Sequence, residues 1–80
     1  MATIRLLFFG SLGDLFGRER GVEWPGEGST VGDIRALLAG EHDAISAPSV
    51  RASVDRQLAA ENMMVLPGQE VAFFSPVSGG

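Results

Sequence analysis

The sequence has no cysteine and no lysine, and these two absences exclude several kinds of site. Without cysteine the chain can form neither a disulfide nor a thiol-ligated metal site, which fits a cytoplasmic location. Its six basic residues are all arginines, spread singly along a chain of net charge −4. No basic patch is therefore available for nucleic acid or anionic lipid, and we expect the partners to be proteins.

Long hydrophobic runs are also missing. The apolar residues 6–9 are too few to cross a membrane, which takes about 20 residues in a helix. They also lack the charged leader and the cleavage site of a secretory signal, so we predict no membrane association. Eighty residues form one domain with a modest core, because a chain of this length buries only about 60% of its unfolded surface.

The one histidine, His42, lies in a polar segment at 41–49 that we interpret as a loop. It has no second histidine or paired serine at a useful spacing, and a general base needs a positioned partner. We therefore interpret His42 as a solvated loop residue and predict no metal site.

Glycines bound a short segment, 10–17, that has two interpretations. Leu12, Leu15 and Phe16 have helical spacing, which predicts a short helix packed on a sheet. A glycine-rich phosphate loop would need a Gly-Lys-Ser/Thr ending, which the sequence does not contain. We therefore favour the helix.

Hydrophobic patterning predicts the remaining elements. In order they are a strand at 3–9, the short helix at 11–16, a strand within 18–24, a helix from Thr30 to Gly40 with an apolar stripe of Val31, Ile34, Leu37 and Leu38, a strand at 50–54, a turn at 55–57, a return strand at 58–60, and a last strand at 71–74. Thr30 and Asp33 form an approximate capping box. The first strand is apolar on both faces at its far end, so we expect both to be covered there. We interpret Trp24 as a packing residue, and Met63 and Met64 as core filler.

This order predicts an α+β fold of the β-grasp type, with the main helix across one face of a mixed sheet. The first and last strands are the most apolar, and we expect them to be central, adjacent and parallel. Pro67-Gly68 fits a type II turn that leads into the last strand. We predict a β-grasp domain at 1–75 and an extended tail at 76–80.

The tail follows directly from the last strand. Pro76 stops the strand, and it restricts Ser75 to an extended conformation. Gly79 and Gly80 have no Cβ, so the end can enter a slot too narrow for other residues. The terminal carboxylate is ionised at neutral pH and is an oxygen nucleophile. The alternative is a frayed terminus with no role.

Several segments resemble the small subunit of molybdopterin synthase, a ubiquitin-like sulfur carrier of molybdenum cofactor biosynthesis. The segments are Leu7-Phe8-Phe9, Thr30-Val31, the turn Ser53-Val54-Asp55-Arg56-Gln57, and the ending Val71-Ala72-Phe73-Phe74-Ser75-Pro76-Val77-Ser78-Gly79-Gly80. Asp55 stands where that family usually has asparagine, and the 41–49 segment matches weakly. The resemblance otherwise spans the whole chain.

The resemblance implies a defined chemistry. An adenylating, E1-like enzyme uses ATP and magnesium to activate the Gly80 carboxylate, and a sulfur donor protein converts the acyl adenylate to a thiocarboxylate. The tail, with Pro76, Val77, Ser78 and Gly79, then threads into the large synthase subunit and delivers sulfur to cyclic pyranopterin monophosphate. The family's assembly is a heterotetramer, and no cofactor stays bound to the small subunit.

The docking surface has two interpretations. Phe9 and Phe74 would form an exposed apolar patch for a partner if the single long helix leaves one sheet face open. Alternatively, the short helix at 11–16 covers them, because core and interface aromatics look alike in sequence.

Three other functions are compatible with the same features. The chain could carry sulfur for thiazole synthesis or tRNA thiolation, or it could be a modifier that is joined through Gly80 to lysines of target proteins. It could also be an interaction domain with an inert tail. The domain offers no paired acid and base of its own, so we expect catalytic side chains to belong to its partners.

Overall fold

A computed structural model describes residues 2–75, which form a five-stranded sheet with one main helix across one face. In chain order the elements are β1 (Thr3–Phe8), α1 (Ser11–Phe16), β2 (Glu19–Glu23), α2 (Val31–Ala39), a 3₁₀ helix (Asp43–Ser46), β3 (Arg51–Val54), β4 (Gln57–Ala59) and β5 (Glu70–Phe74). The predicted order is confirmed. The 3₁₀ helix is an addition to it.

The strands are arranged in the order β2-β1-β5-β3-β4. β1 and β5 are parallel, with Arg5 opposite Glu70 and Phe8 opposite Phe73, whereas all other neighbouring pairs are antiparallel. The predicted α+β architecture, with the first and last strands adjacent and central, is confirmed. Because the two strands are parallel, the carboxyl ends of β1 and β5 lie side by side at the same end of the sheet.

The core lies between the sheet and α2. β1 contributes Ile4, Leu6 and Phe8, whose alternate positions point to one face. The Phe8 ring stacks on Phe16 of α1, with centroids 4.7 Å apart, and on Phe73 of β5 at 6.0 Å. The short helix α1 therefore packs on the same side of the sheet as α2.

Helix α2 begins with the predicted capping box. The Thr30 hydroxyl accepts a hydrogen bond from the Asp33 backbone N–H at 3.2 Å, and the Asp33 carboxylate accepts one from the Thr30 N–H at 3.0 Å. Two backbone donors that no helical carbonyl can reach are thus satisfied.

The prediction that Leu37 belongs to the buried stripe of α2 is wrong, since its side chain is 64% exposed. Ile34 and Leu38 lie close together around the helix and are buried. At roughly 100° per residue, Leu37 points about 100° away from Leu38, toward the β2 side of the sheet. The sheet does not extend far enough to cover it.

The prediction of a plain loop at 41–49 is also wrong, because Asp43–Ser46 form the 3₁₀ helix and Ile45 is fully buried. His42 is half-buried, and its ring meets the Phe16 ring edge-on at 5.1 Å. The segment packs against the end of α2 instead of extending into solvent, so His42 is a packing residue.

Arg35 of α2 holds this segment in place. Its Nη1 donates to the carbonyls of Ile45 at 2.7 Å and Val50 at 3.0 Å, while Nε and Nη2 donate to the Glu61 carboxylate at 2.9 and 2.8 Å. Its guanidinium also lies 5.4 Å from the centre of the Phe73 ring. One side chain therefore joins the helix to two irregular segments and the central strand.

The turn between β3 and β4 has Asp55 and Arg56 at its centre, with φ of 49° and 71°. Positive φ at both positions is typical of a type I′ hairpin turn. The Asp55 carboxylate accepts hydrogen bonds from the Glu70 backbone N–H at 3.0 Å and from Gln69 Nε2 at 2.9 Å. The turn is thus tied to the start of β5.

Met63 and Met64 are 36% and 50% exposed, so the prediction that they fill the core is wrong. Between this pair and the Pro67 turn, Val65 is buried, and its carbonyl accepts a hydrogen bond from Trp24 Nε1 at 2.9 Å. Trp24 itself packs partly buried against the core, as predicted. The segment lies along the edge of the core and turns only one side chain inward.

We predict that Arg35→Lys lowers the free energy of unfolding by about 2–4 kcal/mol, because a lysine cannot satisfy two carbonyls and a carboxylate together. For a domain of this size that corresponds to a fall in Tm of roughly 10 °C or more. Thermal and urea unfolding would measure it. Glu61→Gln is the matched control and should cost less, since the carbonyl bonds remain; equal losses for both variants would contradict this account.

Candidate functional site

The end of β5 is the first part of the candidate site. β5 lies between β1 and β3, so both of its edges are hydrogen-bonded. Phe74 is its last residue, and Ser75 after it is exposed. A segment that continues from this point is therefore anchored to a strand that is hydrogen-bonded on both sides.

The predicted tail residues Pro76, Val77, Ser78, Gly79 and Gly80 lie outside the described residues. Their assignment as a threading segment that ends in a reactive carboxylate stays a prediction. What the structure does give is the anchor point, at Ser75, and the surface next to it.

That surface is the sheet face away from α2, which we call the open face. Five of its residues form an apolar patch: Leu7, Phe9, Leu58, Ala72 and Phe74. Cross-strand pairing aligns Leu7 with Ala72, and Ala72 with Leu58 through Ser53 of β3. The patch therefore crosses the sheet and reaches the end of β5.

The two predicted docking residues differ in exposure. Phe9 is 53% exposed, and Phe74 is half-buried. The short helix α1 packs on the opposite face through Phe16 and Phe8, so it does not bury Phe9. The expectation that both faces of β1 are covered at its far end is wrong, because neither helix lies on the open face.

Sequence reasoning missed Leu58, which is 68% exposed in the patch, and Arg51, which lies opposite Phe74 in the register. The alternation of the short return strand after the 55–57 turn could have placed Leu58 on this face. Arg51 makes no salt bridge among residues 2–75. A cation thus lies beside the strand end from which the tail continues.

At the other end of the open face the charges are paired. The Arg5 guanidinium lies 2.9 Å from the Glu19 carboxylate and 3.8 Å from that of Glu70. These are exposed pairs and contribute little to stability. They leave the apolar patch bordered on one side by Arg5 with two carboxylates, a group of net charge −1, and on the other side by Arg51.

On the α2 side, Arg20 and Glu41 form a two-point ion pair, with both N–O distances at 3.0 Å. These hydrogen bonds hold the pKa of Glu41 below its ordinary value and raise the pKa of Arg20. The pair connects β2 to the end of α2 and is well away from the apolar patch.

Residues 2–75 contain no group of three or more His, Asp or Glu side chains placed to hold a metal ion. No helix in this part of the chain is long and apolar enough to span a membrane.

The family model for ThiS matches residues 6–80. The chain belongs to the ThiS family. The members of this family are ubiquitin-like sulfur carriers with the β-grasp fold, which is the fold expected from the sequence.

Solved structures show the same fold. The chain is 28% identical to SAMP1 from Haloferax volcanii, with a TM-score of 0.78 over 98% of this chain and 99% of that one. A protein assigned as subunit 1 of molybdopterin converting factor from Pyrococcus furiosus gives a TM-score of 0.81 at 20% identity, over 96% of this chain and 100% of that one.

A third structure is a complex of subunits 1 and 2 of molybdopterin-converting factor from Helicobacter pylori. The matched chain is 16% identical, with a TM-score of 0.67 over 98% of this chain and 99% of that one. None of the curated proteins matches this sequence. The structural matches confirm the ubiquitin-like β-grasp fold.

We predict that Phe9→Ala changes the free energy of unfolding by less than about 1 kcal/mol, because its ring is largely in solvent. Phe8→Ala, one residue earlier on the buried face, should cost about 3–5 kcal/mol. Urea denaturation of the two variants would measure both values. Comparable losses would mean that Phe9 is covered after all.

Proposed function

We propose that this ThiS-family chain is the sulfur-carrier subunit of a molybdopterin synthase, with the Gly80 acyl group as the site of transfer. The observation that carries the proposal is the last ten residues. They begin as the central strand β5 and continue into the Pro-Val-Ser-Gly-Gly ending of the resemblance, and the family match extends through residue 80.

The proposed reaction begins with a carboxylate, which is a poor electrophile until one oxygen becomes part of a good leaving group. An E1-like enzyme, using ATP and magnesium held in its own site, would join the Gly80 carboxylate to AMP and release pyrophosphate. Sulfide-level sulfur delivered by a donor protein would then attack the acyl carbon, AMP would leave, and the product would be a thiocarboxylate. The carrier would supply the acyl group at the end of an extended segment, and the partners would supply the catalytic side chains.

The second half of the proposal concerns the large synthase subunit. The tail residues Pro76–Gly79 would thread into that subunit, where the thiocarboxylate transfers its sulfur to cyclic pyranopterin monophosphate. Phe9 and Phe74 of the apolar patch would dock the folded domain against it. The H. pylori structure, in which a chain of this fold is in complex with a subunit 2, supports such a partner. The proposal extends to a heterotetrameric assembly in the cytoplasm, as the resemblance implies.

A protein modifier is the second candidate. The observation that favours it is the 28% identity to SAMP1, since a related solved structure is described as small archaeal modifier protein 1. Both candidates use an activated Gly80, and they differ in the nucleophile that receives the acyl group or its sulfur.

We predict that incubation with an activating enzyme, ATP, magnesium and a sulfur donor replaces one oxygen by sulfur at the C-terminus, as measured by intact mass. A chain without Gly80 should show no replacement of oxygen by sulfur, because its shorter tail would not bring the terminal carboxylate to the activating site. Lysine-linked adducts without thiocarboxylate would favour the modifier. An unchanged mass with an enzyme that activates a known carrier would contradict both candidates.

We also predict that Phe9→Glu weakens binding to the large subunit by roughly 30-fold or more, because a buried interface aromatic is worth about 2 kcal/mol. Leu37→Glu introduces the same charge at an exposed leucine on the α2 side and serves as the matched control. Isothermal titration calorimetry would give both affinities. Equal binding by the two variants would exclude the apolar patch as the docking surface.

A further inference from the structure

Strand β2 is an edge of the sheet and pairs only with β1. The Phe8 N–H donates to the Arg18 carbonyl, and the Trp24 N–H donates to the Ala2 carbonyl. In an antiparallel pair the bonded positions alternate, so Arg20 and Val22 also face β1. The backbone groups of Glu19, Gly21 and Glu23 therefore point away from the sheet, and within residues 2–75 nothing pairs with them.

An apolar groove lies beside this free edge, between β2 and α2. It has a volume of about 110 Å³ and is lined by Val22 and Pro25 on the strand side and by Ile34 and Leu37 on the helix side. Leu37 is 64% exposed, and the Arg20–Glu41 ion pair also lines the groove. A strand added to β2 would direct every second side chain into this groove and cover Leu37.

The charges on the other face of β2 restrict what can pair with it. Glu19 and Glu23 share that face, with Gly21 between them. Glu19 is already paired with Arg5 at 2.9 Å, whereas Glu23 makes no salt bridge among residues 2–75, so Glu23 is the carboxylate available to a cation. A second copy of the chain paired antiparallel about Gly21 would place Glu19 opposite Glu23 twice. Like charges directly opposite are unfavourable, whereas basic residues at those positions would be favourable.

We propose that the β2 edge and the adjoining groove bind an extended segment of a protein partner in which aliphatic and basic residues alternate. The aliphatic side chains enter the groove next to Leu37, and the basic ones lie opposite Glu19 and Glu23. The segment becomes a sixth strand through the free N–H and C=O groups of β2, which is the general mode of β-strand addition. The added strand is not contiguous with the end of β5, so the tail and the apolar patch stay free for another partner.

The test uses the full chain and a short synthetic peptide that alternates valine with arginine, compared with one that alternates valine with glutamate. Binding is followed by amide hydrogen exchange and by the fluorescence of Trp24, the one tryptophan, which directly follows β2. We expect the arginine peptide to slow exchange at Glu19, Gly21 and Glu23. Arg20 and Val22, already bonded to β1, should change little.

Two variants, Leu37→Asp and Glu23→Arg, test the residues involved, and Leu58→Asp is the control. Leu37→Asp should weaken the arginine peptide by tenfold or more, while Leu58→Asp, at the opposite edge of the sheet, should leave the affinity unchanged. Glu23→Arg should weaken it by roughly threefold or more and improve binding of the glutamate peptide. Leu37 and Glu23 both line the groove, and Leu58 does not. An amide spectrum that is unchanged away from each substitution confirms that the variant is folded.

Several outcomes would overturn the proposal. They are equal binding of the two peptides, protection at β4 in place of β2, no binding of either peptide, and no effect of Leu37→Asp. Protection of β2 that rises with protein concentration in the absence of peptide would identify a second copy of the chain as the occupant. None of these readouts depends on Gly80, so failure here leaves the carrier function untouched.

Discussion

The parallel pairing of β1 with β5 is the constraint on which the rest of this structure depends. It joins the two ends of the described chain at the centre of the sheet, and every other strand is added outside that pair. A parallel pair needs a long crossover, and here the crossover contains all the remaining elements. The core aromatic stack of Phe8 and Phe73 comes from this pair, as does the position at which the chain leaves the domain.

Arg35 has a complementary role, since the crossover includes long segments with little regular structure. Small domains have few apolar contacts with which to hold such segments. A guanidinium has donors enough to satisfy two carbonyls and a carboxylate in one plane, which a lysine or a hydrophobic residue cannot do. The polar bonds of Arg35 thus fix Ile45 against α2, and Ile45 in turn completes the core.

Much of the fold could be predicted because its signals are local. The Thr30–Asp33 capping box is one example, and the Pro67-Gly68 turn is another, with Gly68 at φ 84° and the Gln69 N–H donating to the Leu66 carbonyl at 3.2 Å. The errors concern residues whose environment is set by distant contacts. Ile45 is buried in the core, and its carbonyl accepts a hydrogen bond from Arg35, ten positions away. No spacing within 41–49 reveals that.

The candidate site divides in the same way. Strand β5 and its end at Phe74 could be predicted directly from the residue types, because a β-branched and aromatic run stops just before a proline. The exposure of Phe9 could not be predicted, because a buried aromatic and an exposed one fit the same strand pattern in the sequence. Only the placement of α1 through Phe16 decides it, and that placement depends on packing between elements far apart in sequence.

The β1–β5 pair also has a kinetic consequence. Its two strands are nearly as far apart in sequence as the domain allows, so bringing them together carries the largest loop-closure entropy in the fold. The local β3–β4 hairpin can form before it, and the last strand enters late. Until that step is complete, Ala72 and Phe74 have no fixed position beside Leu7 and Phe9 of the first strand and the segment after it. The apolar patch takes residues from both strands, so it exists as a continuous surface only in the fully folded domain.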